Sequence, residues 1–422
     1  MRYGSRTHGS RKRIGVATCA GVVLLLLASA CGGSSGSSSS GGSGPINVGS
    51  ILDETGPVNI YGKAMADSTK LAIKDINDSG GVLGRQLNLV SYDAQSENAK
   101  YTQYATSLAS RDKVAVMMGG VTSASREAIR PVADRTKTLY FYNEQYEGGV
   151  CDKGMFNTGT VPSQQLADLI PYAVQHYGKK VYVVAADYNY GHISTDWVKK
   201  YAAQAGAQVV GSDFVPLESS NFGAVINNLQ AARPDVVISL LVGGNHIAFY
   251  RQFAATGLAN SMHIASPTFG LGNEQVVLSP AESKGITVAY PYFQELPAPA
   301  NTKFVDAWHK AYGADYPYIT DSAVTVWNGW HLWAKAVEQV KSVDRDKVTA
   351  ALESGGISID GPSGKVTMDG PSHSVTQSVS IAQTNATHGF DVLQSKANVP
   401  PSYEQSVCDL VKNPNTDKQF TP

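Results

Sequence analysis

Val114-Ala115-Val116-Met117-Met118-Gly119-Gly120-Val121-Thr122-Ser123, leading into Ala124 to Thr136 and then Leu139-Tyr140-Phe141-Tyr142, is the stretch that decides the fold. The opening run is apolar without interruption, which reads as a strand covered on both faces. Two glycines stop it. The next segment has helical spacing, and a second apolar strand follows almost at once. A strand, a helix and another strand joined by short connections form the repeating unit of a parallel sheet.

The same rhythm extends in both directions. Upstream lie a strand at Ile46 to Leu52, a helix at Tyr61 to Asn77 closing on Gly80-Gly81, a strand at Leu87 to Tyr92 and a helix at Tyr101 to Ser110. After residue 160 the pattern restarts. Helices at Gln164 to Tyr177, Thr195 to Ala205, Phe222 to Ala232 and His246 to Thr256 alternate with strands at Lys180 to Ala186, Gln208 to Val215, Asp235 to Val242 and His263 to Ser266. The last third places helices Thr302 to Tyr312, Ser322 to Val340 and Arg345 to Glu353 before short strands at Lys365 to Met368, Val375 to Ala382 and Gly389 to Leu393. Two such series predict an α/β protein with two doubly wound parallel-sheet lobes joined by a multi-crossover hinge. The expected division is an N-terminal lobe of 46–160 and 292–360, a C-terminal lobe of 161–291 and 361–395, and an irregular tail over 396–422.

The N-terminus reads as an export signal. Arg2, Arg6, Arg11, Lys12 and Arg13 precede an apolar run from Ile14 to Ala30, too short to cross a bilayer. That run ends Leu27-Ala28-Ser29-Ala30-Cys31, which resembles a bacterial lipobox with Ala28 where a leucine is usual. The expectation is a signal peptide over 1–30, a lipidated Cys31, and a flexible Gly/Ser tether over 31–45. The protein would then sit on the extracytoplasmic side, touching the membrane only through its anchor. Without residues 1–30 the chain keeps 392 residues, enough for two domains, with 29 basic and 35 acidic side chains. That balance argues against nucleic acid as a partner. Cys151 and Cys408 are the two cysteines left beyond Cys31, and in an oxidising compartment they most simply form a disulfide.

Catalytic signatures are missing. There is no P-loop, no strand–GxGxxG–helix unit, no HExxH and no CxxC, and the single G-x-S-x-G match lies in the tether. The expectation is a protein that is not an enzyme and has neither cofactor nor metal. In open α/β sheets ligands collect beyond the carboxyl ends of the strands. This rule selects Ser123, Tyr142, Glu144, Tyr188, Tyr190, Asn245 and Thr268 as ligand-binding candidates. Ser123 stands at a helix N-terminus, where it could equally be a cap. Glu144 is either a solvated rim residue or a carboxylate buried against donors supplied by a ligand. Tyr142 reads either as strand core or as pocket wall. Tyr188 and Tyr190 lie past their strand, where phenols can wall a pocket and still hydrogen-bond its contents.

With these residues in view, the chain resembles the type I periplasmic binding proteins, in their branched-chain amino acid and urea/amide-binding branch. The resemblance spans nearly all of 46–395. It rests on Thr55-Gly56, on Asn77-Asp78-Ser79-Gly80-Gly81-Val82-Leu83-Gly84-Arg85, on Tyr146-Glu147-Gly148, on Asp187-Tyr188-Asn189-Tyr190, and on Ala289-Tyr290-Pro291-Tyr292-Phe293. It implies a lipoprotein that captures a small polar, nitrogen-rich solute by lobe closure and hands it to the permease subunits of an ABC importer. It also implies that Ser123, Tyr142 and Tyr190 fall on ligand-binding positions, whereas Glu144 departs from the small residue expected there. A branched-chain or other amino acid as ligand, a sensor serving a regulatory partner and an amide hydrolase are the alternatives.

Overall fold

The computed structural model describes residues 44–422. The expected signal peptide, Cys31 and the tether up to residue 43 lie outside the described residues.

Strands β1 (Ile46–Leu52), β2 (Leu87–Asp93), β3 (Val116–Gly119), β4 (Leu139–Tyr142), β5 (Val150–Asp152) and β6 (Met155–Asn157) come first. All but β5 build a five-stranded parallel sheet in the order β2-β1-β3-β4-β6. Every residue of β3 and β4 is buried, as a continuous apolar run in a doubly covered sheet should be. Helices Asn59–Asp78, Asn98–Ser110 and Ser123–Thr136 make the crossovers. The later helix Asp321–Val340 lies along the first of these. There Ser68 donates to the carbonyl of Ala323, and the Trp330 indole reaches Thr69 Oγ1 at 3.4 Å.

Strands β7 (Lys180–Ala186), β8 (Gln208–Val215), β9 (Val236–Leu240), β10 (His263–Ser266) and β11 (Thr287–Tyr290) form a second parallel array in the order β8-β7-β9-β10-β11. To this the chain adds β12 (Ser358–Gly361), β13 (Gly364–Asp369), β14 (Ser374–Thr384) and β15 (Phe390–Val399), all antiparallel. The second sheet is thus parallel at its core and mixed at one side, a common finish for large α/β sheets. Strand β14 changes partner along its length. Its first residues pair with β13, and its later ones lie between β11 and β15. The β12–β13 hairpin sits by helix Asp321–Val340, with Lys335 Nζ on the Ser358 carbonyl.

The final segment is ordered, which corrects the expected irregular tail. Strand β15 continues to Val399, helix Ser402–Val407 follows, and β16 (Asp417–Gln419) pairs antiparallel with β5. A disulfide joins Cys151 to Cys408 with Cα atoms 5.5 Å apart, and Leu410 is fully buried beside it. These long-range partners order a stretch that has no apolar periodicity of its own. Among the described residues no helix is long and apolar enough to cross a membrane.

Two glycines decide how the cleft-facing turns form. Gly119 has φ +130, and a Cβ there would stand 2.1 Å from the carbonyl oxygen of Ile51. Only glycine lets β3 end and turn so close to β1. In helix Asn189–Gln204 a Cβ on Gly191 would lie 1.9 Å from the Ala186 carbonyl oxygen. The Asn-Tyr-Gly run read from sequence as a loop is therefore the first turn of a helix packed onto its own strand. That helix starts six residues before the expected Thr195.

Candidate functional site

The carboxyl ends of the two parallel arrays face each other across a small, partly open cavity. Ser123, Val121, Glu144 and Gln145 reach it from the loops after β3 and β4, and Tyr61 from the helix after β1. From the other side come Tyr188, Tyr190, Val242, Thr268 and Leu271. The volume open to the centre of a water molecule is about 30 Å³. At roughly 10–15 Å³ per water position, that space suits a guest of a few heavy atoms. No lysine or arginine is among the lining side chains.

Each polar wall residue has a defined role. Thr122 caps helix Ser123–Thr136, its Oγ1 accepting the Ser125 amide at 3.1 Å, which leaves Ser123 free of that task. Ser123 and Ala124 open the helix, so their amides have no intrahelical acceptor. Ser123 Oγ donates to Glu147 Oε2. Its proton is therefore committed, and the lone pairs remain. Glu144 is 6 % exposed, and Oε1 accepts the Gln145 amide at 2.9 Å, while Oε2 has no hydrogen-bond partner of normal geometry. Burial pushes its carboxyl up to about 7, against the pull of Ser322 and the Gln145 amide. Gln145 Oε1 is likewise buried without a partner.

Tyr61 Oη accepts the Gly243 amide at 2.9 Å across the cleft and keeps its own proton for a further acceptor. Burial raises the Tyr61, Tyr188 and Tyr190 phenols, so all three stay protonated donors. Thr268 Oγ1 donates to the Leu241 carbonyl at 2.8 Å. Asp321 and Glu274 lie buried close by, their carboxyls raised by desolvation first and, for Asp321, by Glu144 next.

Five of the seven residues expected to bind ligand, Ser123, Glu144, Tyr188, Tyr190 and Thr268, line this one cavity. Tyr142 does not. It is fully buried behind the wall, its hydroxyl donating to the Val121 carbonyl at 2.9 Å and its ring lying 5.3 Å from the Arg126 guanidinium. In a four-residue strand buried on both faces, apolar pattern alone cannot say which face meets the cleft. Asn245 begins helix Asn245–Ala255, and its side chain lies outside the described set. Tyr61 and Leu271 are lining residues that the sequence reading did not select, Tyr61 because it lies in the first turns of a helix and Leu271 because it lies in the loop after β10. Among the described residues, Asp134, Asp152 and Asp417 form a close acidic group where β5 meets β16, and Arg130 bonds two of its members.

Two α/β lobes with a small, largely apolar cavity carrying a few polar groups are the frame of a solute-binding protein. Residues 45–389 match the periplasmic binding protein family, and the chain belongs to it. Among curated relatives, the Leu/Ile/Val-binding protein homolog 7 of Brucella suis is 25% identical over 333 residues, covering 74% of this chain and 82% of that protein. The leucine-, isoleucine-, valine-, threonine-, and alanine-binding protein of Pseudomonas aeruginosa is 27% identical, covering 71% and 80%. The fold matches that of an ABC transporter solute-binding protein from Rhodopseudomonas palustris in complex with 3,4-dihydroxybenzoic acid. There the TM-score is 0.76 at 22% identity, covering 85% of this chain and 99% of that one. It also matches Streptococcus pneumoniae LivJ in complex with isoleucine, at TM-score 0.70 and 18% identity, covering 84% and 99%. These relatives and neighbours are binding proteins, not enzymes.

Proposed function

We propose that this protein is the exported, lipid-anchored capture component of an ABC importer, and that it closes over a compact amide-type solute such as urea or a short-chain amide. One observation carries the ligand class. The polar groups that the first lobe turns to the cavity from Ser123 and Glu144 are acceptors, because the Ser123 proton is held by Glu147 and Glu144 Oε2 is buried without a partner. A buried acceptor costs about 1–3 kcal/mol unless a donor meets it. A guest with an NH₂ group supplies that donor. Tyr61, Tyr188 and Tyr190 can then donate to its carbonyl oxygen.

We assign residues 46–160 with 292–360 to one lobe and 161–291 with 361–395 to the other, so that β13, β14 and β15 stay with the second sheet and the chain crosses near residues 160, 291 and 360. Contacts from both lobes coexist only when the cleft is closed, so occupancy becomes a shape that permease subunits can read.

An amino acid is the second reading. The Ser123 and Ala124 amides at the helix N-terminus suit a carboxylate, and two curated relatives carry names for leucine, isoleucine and valine binding. Calorimetry with urea, formamide, acetamide, guanidine, leucine and isoleucine separates the two. Submillimolar binding of a small amide with none of leucine is the expected outcome, and the reverse order refutes the amide reading.

A further inference from the structure

We infer that Glu147 decides which polarity of ligand Ser123 accepts, and that the C-terminal strand β16 holds Glu147 in the orientation that does so. The inference rests on the amide reading of the cavity and deepens it. Glu147 has no exposed side-chain surface, yet it touches both lobes and the tail. Its Oε1 receives Arg126 Nη2 at 2.8 Å, Gln419 Nε2 at 2.7 Å and Asn189 Nδ2 at 3.5 Å. Its main-chain oxygen accepts the Trp197 indole at 2.9 Å. Oε2 is left for the Ser123 hydroxyl.

The division of labour between the two oxygens has a chemical consequence. Three donors surround Oε1, so that atom must remain an acceptor whatever replaces the carboxylate. As long as Oε2 is also an acceptor, the Ser123 proton points at it, and the ligand meets oxygen lone pairs. Glu147 therefore excludes an anionic oxygen at Ser123 and admits an N–H.

The strand carrying Gln419 lies past residue 389, where the family match ends. Gln419 Nε2 also reaches the Gly148 carbonyl at 3.0 Å, and the Phe420 amide donates to the Gly149 carbonyl at 2.8 Å. Asp417 to Gln419 pair with Asp152 to Val150. Buried Glu404 adds a bond to the Gly149 amide at 3.2 Å and to Ser163 Oγ at 3.0 Å. The loop that carries Glu147 is thus wrapped by the last twenty or so residues of the chain and held by the Cys151–Cys408 bridge. Glu147 and Gln419 are positioning residues: they act on the ligand through Ser123.

Acetamide and acetate have nearly the same shape and opposite polarity at one end, so their relative affinity reads this device. In Glu147→Gln the three donors hold the amide oxygen at the Oε1 position and force its NH₂ towards Ser123. The serine proton is then released into the cavity. Calorimetry should find acetamide weakened and acetate strengthened at least tenfold in absolute terms. Partial unfolding weakens both and cannot imitate that gain. Gln419→Ala should move the acetamide-to-acetate ratio the same way by about threefold. An acetate affinity in Glu147→Gln no higher than wild type overturns the role of Glu147, and an unchanged ratio in Gln419→Ala overturns that of β16. If Glu147→Gln does not fold, Ser123→Ala removes the lone pairs and leaves Glu147 in place. Acetamide should then lose about tenfold while acetate loses nothing, and equal losses overturn the inference. Should the wild type bind neither urea nor acetamide, the amide reading fails, whereas the acetate gain still tests Glu147.

Discussion

Ligand affinity should depend on pH through the buried carboxyl of Glu144, beside which Asp321 and Glu274 are also raised by burial. Glu144 is pushed up to about 7 by desolvation, from an ordinary value of 4.5; it lines the cavity, and its buried Oε2 has no hydrogen-bond partner of normal geometry. A guest that donates N–H to that oxygen binds the ionised form, so the apparent dissociation constant is the intrinsic one divided by the ionised fraction. At pH 8 about nine-tenths of the molecules carry the charge, and at pH 6 about one-tenth. Affinity for acetamide or urea should fall about tenfold over that interval, about 1.4 kcal/mol. Binding near pH 6.5 should also release a fraction of a proton, visible as a calorimetric enthalpy that varies with the ionisation enthalpy of the buffer. Glu144→Gln keeps the shape, removes the titration, and should weaken binding at pH 8 by about tenfold or more while flattening the profile. An equal wild-type affinity at pH 6 and pH 8, or a Glu144→Gln variant as tight as wild type at pH 8, refutes the reasoning.

Three further outcomes follow from contacts away from Glu144. Tyr61→Phe leaves the Gly243 amide without its cross-cleft acceptor, a loss of about 1–3 kcal/mol felt on closure, so ligand affinity should drop about tenfold with little change in the melting temperature of the free protein; unchanged affinity would remove Tyr61 from the closure contacts. The Cys151–Cys408 bridge closes a loop with a sequence separation of 257, for which chain entropy gives a ceiling of about 6 kcal/mol. Cys408→Ser or added reductant should therefore lower the melting temperature by several degrees, and identical melts with and without reductant would show that β16 pairing suffices. Glu404 is buried and lifted to about 7 from 4.5, so the folded chain keeps a proton that the unfolded chain gives up between those values. Its contribution to stability falls as pH rises through that window, by about 3 kcal/mol in all. Glu404→Gln should flatten this part of a urea-denaturation series taken from pH 4.5 to 7.5, and an unaltered slope would contradict the assignment.

The architecture was legible where burial is two-sided. Leu139–Tyr142, Lys180–Ala186 and His263–Ser266 are runs whose composition alone demands a covered parallel sheet, and their ends fall where the sequence puts them. Strands β5, β6 and β16 have three residues each and owe their conformation to partners, so no local pattern reveals them. The cavity was legible through the rule that ligands gather past strand ends, which pointed to Ser123, Glu144, Tyr188, Tyr190 and Thr268. The rule names loops, not faces, and it could not separate Tyr142, turned into the core, from Glu144 two residues on. Arg126 and Glu147, the latter quoted only as part of a family run, were given no site role for another reason. A fully buried ion pair looks, in sequence, like two ordinary surface charges, and Gln419 reaches Glu147 from 272 residues away.

The indole of Trp197 gives the molecule an optical gauge. It lies in helix Asn189–Gln204 after β7 and hydrogen-bonds the Glu147 carbonyl at 2.9 Å, a contact between the two proposed lobes, whereas the other four tryptophans lie in the helices between Pro299 and Val340. If the proposed lobes spread, that carbonyl is exchanged for water while the remaining indoles keep their places. A difference in emission between wild type and Trp197→Phe therefore isolates one chromophore, and its colour follows the cleft as solute is added.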